Sequence, residues 1–279
     1  MIRFRRIPTY RLALYYLGAI VVAALLLSLL GQVHQEPANL VFSALVLLAA
    51  CFGANWVFAR IFGAQSKWES VGISAVILAL IITPVAGNDI SGVGFLILAA
   101  ACAMASKYLL ALGRRHIFNP AAFGVALAGT GLNRAVNWWV GDNTILLPVI
   151  LAGGLLILSR LRSYEMVASF MAVVLSIAVV EGGGASPGLS LSMMSMHSMF
   201  FFFAIVMLTE PRTAPIGRVP QIVYGALVGL CFAPTTHIGA YYFTPEVALL
   251  AGNLFAFLTR CRCLKHWADV LARKRTANI

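Results

Sequence analysis

The sequence predicts an all-α polytopic membrane protein, with about ten transmembrane helices arranged as two inverted five-helix repeats. Three observations predict it: a composition that no soluble core accommodates, apolar runs of bilayer length from end to end, and Lys and Arg confined to alternate loops. Of the 279 residues, 61% are hydrophobic and 10% charged, with a mean hydropathy of +0.91. Soluble domains carry about 25% charged residues. A helix needs about 20 mostly apolar residues to cross a bilayer.

Ten runs read as spans, at 12–30, 39–59, 71–86, 91–112, 118–132, 144–160, 164–180, 193–209, 219–235 and 245–260. The integral membrane domain is expected over 1–263, with repeats at about 10–135 and 140–260, followed by a basic amphipathic tail at 264–279. The first apolar run has no small-residue cleavage site and continues for a full span, so it reads as a helix rather than a cleavable signal. With the N-terminus in the cytoplasm, every Lys and Arg except Arg134 faces inward, while Glu36, Asp89, Asp142, Glu181 and Glu246 face outward. That asymmetry is the positive-inside rule, and it places both termini in the cytoplasm. In the tail, Leu264, Trp267, Val270 and Leu271 share one helical face, as in a helix lying on the inner leaflet; a solvated end is the alternative.

The net charge of +11 is spread over the inter-span loops, so the expected partner is the lipid bilayer and not nucleic acid. Cys51, Cys102 and Cys231 fall in apolar runs and read as small packing residues. Cys261 and Cys263 form an isolated pair, and no His/Cys set has metal-ligand spacing.

An internal repeat organises the chain. Ile117-Phe118-Asn119-Pro120 recurs as Tyr242-Phe243-Thr244-Pro245, 125 residues on (Phe118 to Phe243), and each is followed by small apolar residues. Thr83-Pro84 and Glu210-Pro211 recur at a spacing of 127 (Pro84 to Pro211). Five spans per unit turn the second copy upside down, an arrangement common in transporters, whose sites lie at the repeat interface. Asn119 and Thr244 stand where helix N-caps belong, each before a Pro at the first helical position. The apolar run after Asn119 is shorter than a crossing. It reads either as a half-helix whose N–H groups face a ligand near the inner surface, or as a capped helix with no ligand.

The stretch KYLLALGRRHIFNPAAFGVAL, Lys107–Leu127, resembles the membrane subunits RnfD and NqrB of the Rnf complex and the Na⁺-translocating NADH:quinone oxidoreductase. A second similarity is Leu208-Thr209-Glu210-Pro211-Arg212-Thr213-Ala214-Pro215, with Tyr224-Gly225-Ala226-Leu227-Val228-Gly229 behind it. The resemblance runs over about 10–260 and implies ten helices in inverted repeats within a bacterial-type inner membrane. It also implies a non-covalent flavin (riboflavin or FMN) near Lys107, His116, Phe118, Asn119, Pro120 and Phe123. The implied partners are other membrane redox subunits or a ferredoxin-reductase-like cytoplasmic module. The family's covalent-FMN threonine motif has no counterpart: Ser195-Met196-His197-Ser198-Met199-Phe200 occupies its place, so covalent FMN is not expected. Some relatives fuse a reductase module about where RKRTANI ends this sequence, which leaves a separate reductase or a longer fusion equally open.

Singly, Lys107 reads as snorkelling to the inner interface, with contact to a flavin or phosphate as the functional alternative. His116 reads as a solvated loop histidine that could donate to a ligand. Glu210 and Arg212 read as a local ion pair, and Glu210, Arg212 and Thr213 as a possible ion path or docking point. His197, among Met196, Met199 and Phe200–Phe203, reads as packing. No nucleophile–base pair or dinucleotide fingerprint is present, so the chain itself is not expected to hydrolyse a substrate or bind NAD(P)H. Three functions follow as expectations: a membrane electron-transfer subunit, an inverted-repeat channel or transporter, and an anchor for a reductase module.

Overall fold

Proline fixes where several helices begin, because a residue with no N–H and a preset φ suits a first turn whose N–H groups lack partners anyway. The computed structural model describes residues 8–64, 67–112, 115–141, 143–181, 198–233, 236–239 and 241–260. Its helices are α1 (Thr9–Leu29), α2 (Pro37–Ile61), α3 (Trp68–Ile81), α4 (Ile90–Leu109), α5 (Pro120–Gly131), α6 (Leu147–Leu161), α7 (Tyr164–Glu181), α8 (Ser198–Phe202, running on as a π turn Phe203–Met207), α9 (Arg218–Phe232) and α10 (Pro245–Arg260). Pro37, Pro120 and Pro245 open their helices. Thr9–Leu29, Pro37–Ile61, Ile90–Leu109 and Thr144–Leu161 are long and apolar enough to cross a membrane. The chain is an all-α membrane protein.

Several helices are shorter than their apolar runs. The third span was expected to reach 86, but α3 stops at Ile81 and Ile82 is extended. Pro84 disfavours helix at the residue before it, Thr83. The departing strand stays inside, with Ile82 and Val85 4% and 9% exposed. Ser43 of α2 satisfies its backbone: the Val85 N–H donates to Ser43 Oγ at 2.8 Å, and that hydroxyl lies 3.3 Å from the Val85 carbonyl. Irregular backbone at membrane depth persists where protein supplies such partners. The fourth span was expected to reach 112, but α4 gives way to a hairpin of β1 (Ala111–Leu112) and β2 (Arg115–His116). A second hairpin, β3 (His237–Ile238) and β4 (Tyr241–Tyr242), joins α9 to α10.

The two halves pack alike. In the first, α1 lies on α3, α2 on α4, and α4 on α5; in the second, α6 lies on α8, α7 on α9, and α9 on α10. Helices α5 and α10 meet across the halves. Each hairpin-joined pair touches at a glycine. A Cβ on Gly124 would fall 2.4 Å from the Ala99 carbonyl oxygen; one on Gly252 would fall 2.2 Å from Val228 Cγ2.

Phe170 anchors an aromatic core, its ring centroid 5.5 Å from Phe200, 5.3 Å from Phe203 and 5.3 Å from Phe232. Between α5 and α6 the chain runs through the interior: the Trp139 indole donates to the Ala79 carbonyl at 2.8 Å, and Trp138 donates to the Glu246 carboxylate. Arg134, the lone basic residue expected outside, lies 3.9 Å from Asp89. Cys51 is buried, and Cys102 and Cys231 are half-buried free thiols. Ser195, Met196, His197, Cys261, Cys263 and the 264–279 tail lie outside the described residues.

Candidate functional site

One end of the bundle gathers the start of α1, the β1–β2 hairpin, the 208–217 loop and the end of α10; we call it the basic end. Hairpin register sets Ala111 opposite His116 and Leu112 opposite Arg115, and the Ile117 N–H closes it on the Leu110 carbonyl at 2.9 Å. The chain then enters α5 through Asn119, whose side chain accepts the Ala122 N–H at 3.1 Å. The Asn119 carbonyl accepts the Phe123 N–H at 3.0 Å.

The Asn119 N–H donates to Asn253 Oδ1 of α10 at 2.7 Å, and Asn253 Nδ2 donates to the Tyr224 hydroxyl of α9 at 2.9 Å. Asn119, Asn253 and Tyr224 are 1%, 0% and 0% exposed. The start of α5 is therefore closed by the other half of the molecule. Asn119 holds the helix start, and what it presents outward is its neighbours. Pro120 is buried. Phe118 and Phe123 are half-buried and stacked, with centroids 5.9 Å apart and planes 21° apart.

Three expectations are corrected here. Lys107 does not snorkel: it is buried, and its ammonium donates to the Ser70 carbonyl at 2.7 Å and lies 3.3 Å from the Ser70 hydroxyl. A buried ammonium needs such acceptors, and the open first turn of α3 supplies them. His116 is half-buried and not solvated, with Arg212 Nη1 2.8 Å from its Nε2. Arginine has only donors, so Nε2 accepts and the ring proton sits on Nδ1. Burial first, then Arg212 and Lys107, push His116 down to about 3.

Glu210 and Arg212 form no ion pair among the described residues. Arg212 turns instead to His116 and to the Tyr10 ring, 5.2 Å from its guanidinium carbon. The Arg212 carbonyl accepts from Arg260 Nη1 at 3.3 Å. Glu210 folds onto its own loop, its carboxylate 3.4 Å from the Thr213 hydroxyl and its carbonyl accepting the Ala214 N–H at 2.9 Å. Burial pushes Glu210 up to about 7 against the pull of Lys107 and Arg212.

Glu210 also lines a cleft of about 60 Å³ between α1, α3, α6 and α8, walled by Tyr10, Tyr16, Ile77, Ile157 and Ile205. The basic end thus brings together His116, Phe118, Asn119, Phe123, Glu210, Arg212 and Thr213, with Lys107 just inside. Sequence reasoning missed Asn253, Tyr224 and Arg260. An asparagine inside the apolar run Leu249–Phe257 was the available signal, since polar groups in membrane helices seldom lack a partner. No family model matches the chain, and no curated protein matches it.

Proposed function

We propose that the chain is a membrane-embedded electron-transfer subunit of an RnfD/NqrB-like redox system. It has ten spans in two inverted repeats, with the basic end in the cytoplasm. A non-covalent flavin at that end would pass electrons between a cytoplasmic reductase partner and a membrane acceptor, with possible coupling to cation movement. The matched packing of the two halves supports the repeat. The observation that carries the functional reading is the 2.8 Å contact between Arg212 and His116, which unites two sequence blocks 96 residues apart beside a half-exposed aromatic pair.

A bound flavin supplies the redox chemistry. The chain's own residues position it: Phe118 and Phe123 offer a flat face for a planar ring. Asn119, capping α5 and tied to Asn253, fixes that face, and Arg212 provides positive charge for a reduced ring. The second reading is a channel or transporter, which the two half-helices favour. It requires the Asn119–Asn253 contact to open, because that contact and the Gly124 and Gly252 packings fill the space around the facing half-helices.

A visible spectrum of the detergent-purified protein, with a denaturing gel of the same sample, tests the proposal. Flavin absorption without an in-gel fluorescent band is expected. A colourless protein that takes up neither riboflavin nor FMN would contradict it.

A further inference from the structure

We infer that Arg115, Arg212 and Arg260 form a phosphoryl-binding site at the basic end, which makes FMN rather than riboflavin the flavin that fits. The flavin half of this inference rests on the reading above; the phosphoryl half stands on the cations themselves. The ion pairs of the described residues lie elsewhere: Arg11 with Glu69, Arg134 with Asp89, and Arg218 with Glu165. Lys107, Arg115, Arg212 and Arg260 have no carboxylate partner among the described residues. They nevertheless converge. Arg260 donates to the Arg212 carbonyl, Arg115 is near enough to Arg260 to repel it, and Arg212 and Lys107 both bear on His116.

Glu210 is the one carboxylate facing this group, and it faces Lys107 and Arg212. Ordinary inner-loop arginines spread into solvent, where water screens them. Here Arg212 and Arg260 are half-buried, and Arg260 Nε is enclosed with no acceptor. Unpaired cations held together in a partly dry place favour an anion. Guanidinium groups from three separate segments suit the several oxygens of a phosphomonoester, through paired N–H donors. Arg115 is also three residues from Phe118, so a ring on the aromatic pair and a phosphate on the arginines fit one molecule.

Fluorescence titrations of the detergent-purified full chain with FMN and with riboflavin test this, alongside melts in inorganic phosphate against chloride at equal ionic strength. FMN is expected to bind about tenfold more tightly than riboflavin, the gain of one good charge-assisted contact. Inorganic phosphate should raise the melting temperature and cancel the FMN advantage. Arg115→Gln, at an exposed position, and Arg260→Gln should bring the FMN-to-riboflavin ratio toward one while leaving riboflavin affinity unchanged. Equal affinity for the two flavins overturns the phosphoryl site and leaves the flavin reading intact. Phosphate protection that Arg115→Gln removes, with no flavin binding, supports the phosphoryl site and sinks the flavin reading. Protection by phosphatidylglycerol but not by phosphate would assign the arginines to lipid and overturn the inference.

Discussion

At the junction of α4 and α5, His116 is half-buried against Arg212, and Asn119 is sealed with its N–H on Asn253 at 2.7 Å. At the junction of α9 and α10, the hairpin lies open, with Ile238 70% and Tyr242 61% exposed, and Thr244 reaches the Val247 N–H only at 3.5 Å. Both junctions follow the same local chemistry: a two-residue-strand hairpin, a polar cap and Pro at the first helical position. They differ in what the rest of the chain brings to them. The first receives Arg212, Arg260 and Asn253; the second receives only the Trp138 indole, on Glu246. A shared local device thus becomes a candidate site only where the opposite half of the molecule completes it.

The largest expected effect breaks the helix pair behind each junction. Gly124→Ala pushes a methyl against the Ala99 carbonyl and the Ala103 amide nitrogen, 2.4 and 2.9 Å away, and backbone cannot yield. Gly252→Ala meets Val228 Cγ2 and the Tyr224 ring, which are side-chain atoms. Thermal melts in detergent should show a loss of about 3 kcal/mol for the first and about 1–2 kcal/mol for the second. The reverse order would mean that α9–α10 is the tighter pair.

Next in size is the link between the halves. Asn253→Ala strands the Asn119 N–H and the Tyr224 hydroxyl in a dry interior and should lower stability by about 2 kcal/mol. Tyr224→Phe removes only the far end of the chain of bonds and should lose less. Equal losses would show that the Asn119–Asn253 bond contributes nothing of its own.

The caps sharpen the comparison further. Asn119→Ala should cost about 1 kcal/mol, and Asn119→Ser little, since serine caps as well. Thr244→Ala should cost less than Asn119→Ala, because its bond is long. Equal costs in the two alanine variants would remove the contrast between the junctions.

The smallest effect is on pH dependence. Unfolded, His116 gains a proton below 6.5, whereas the folded chain resists until about 3, so its contribution to stability is lost as pH falls. Glu210 works the other way: the folded chain takes its proton below about 7 and the unfolded chain only below 4.5, so stability is gained as pH falls between those values. Between pH 6.5 and 4.5 the two offset each other. Melting temperatures in that window should change little for the wild-type pair, rise with acid in His116→Gln and fall with acid in Glu210→Gln. A wild-type slope matched by His116→Gln would remove the histidine from the account.

Much of this was legible in the sequence because it is local. Pro37, Pro120 and Pro245 announce their helices, Asn119 its cap, and apolar run length the helix order. The end of α3 was legible only in part: Thr83-Pro84 gives the break, but apolarity continues through Val85 because the extended strand stays buried against Ser43. The partners of Lys107, His116 and Arg212 were not legible. A lysine near a helix end snorkels unless a neighbouring helix presents open acceptors, and here that neighbour is the first turn of α3, 37 residues away. The Arg212–His116 contact depends on how the two halves dock, which no local pattern encodes.

The central claim is that the basic-end junction, and not its exposed counterpart, carries a flavin. Titrating riboflavin into the wild type, Phe123→Leu and Tyr242→Leu measures it directly. Losing the stacked ring at Phe123 should weaken binding by about tenfold, roughly 1.4 kcal/mol, while Tyr242→Leu matches the wild type. Equal affinity in all three proteins, or no binding by any, would contradict the account.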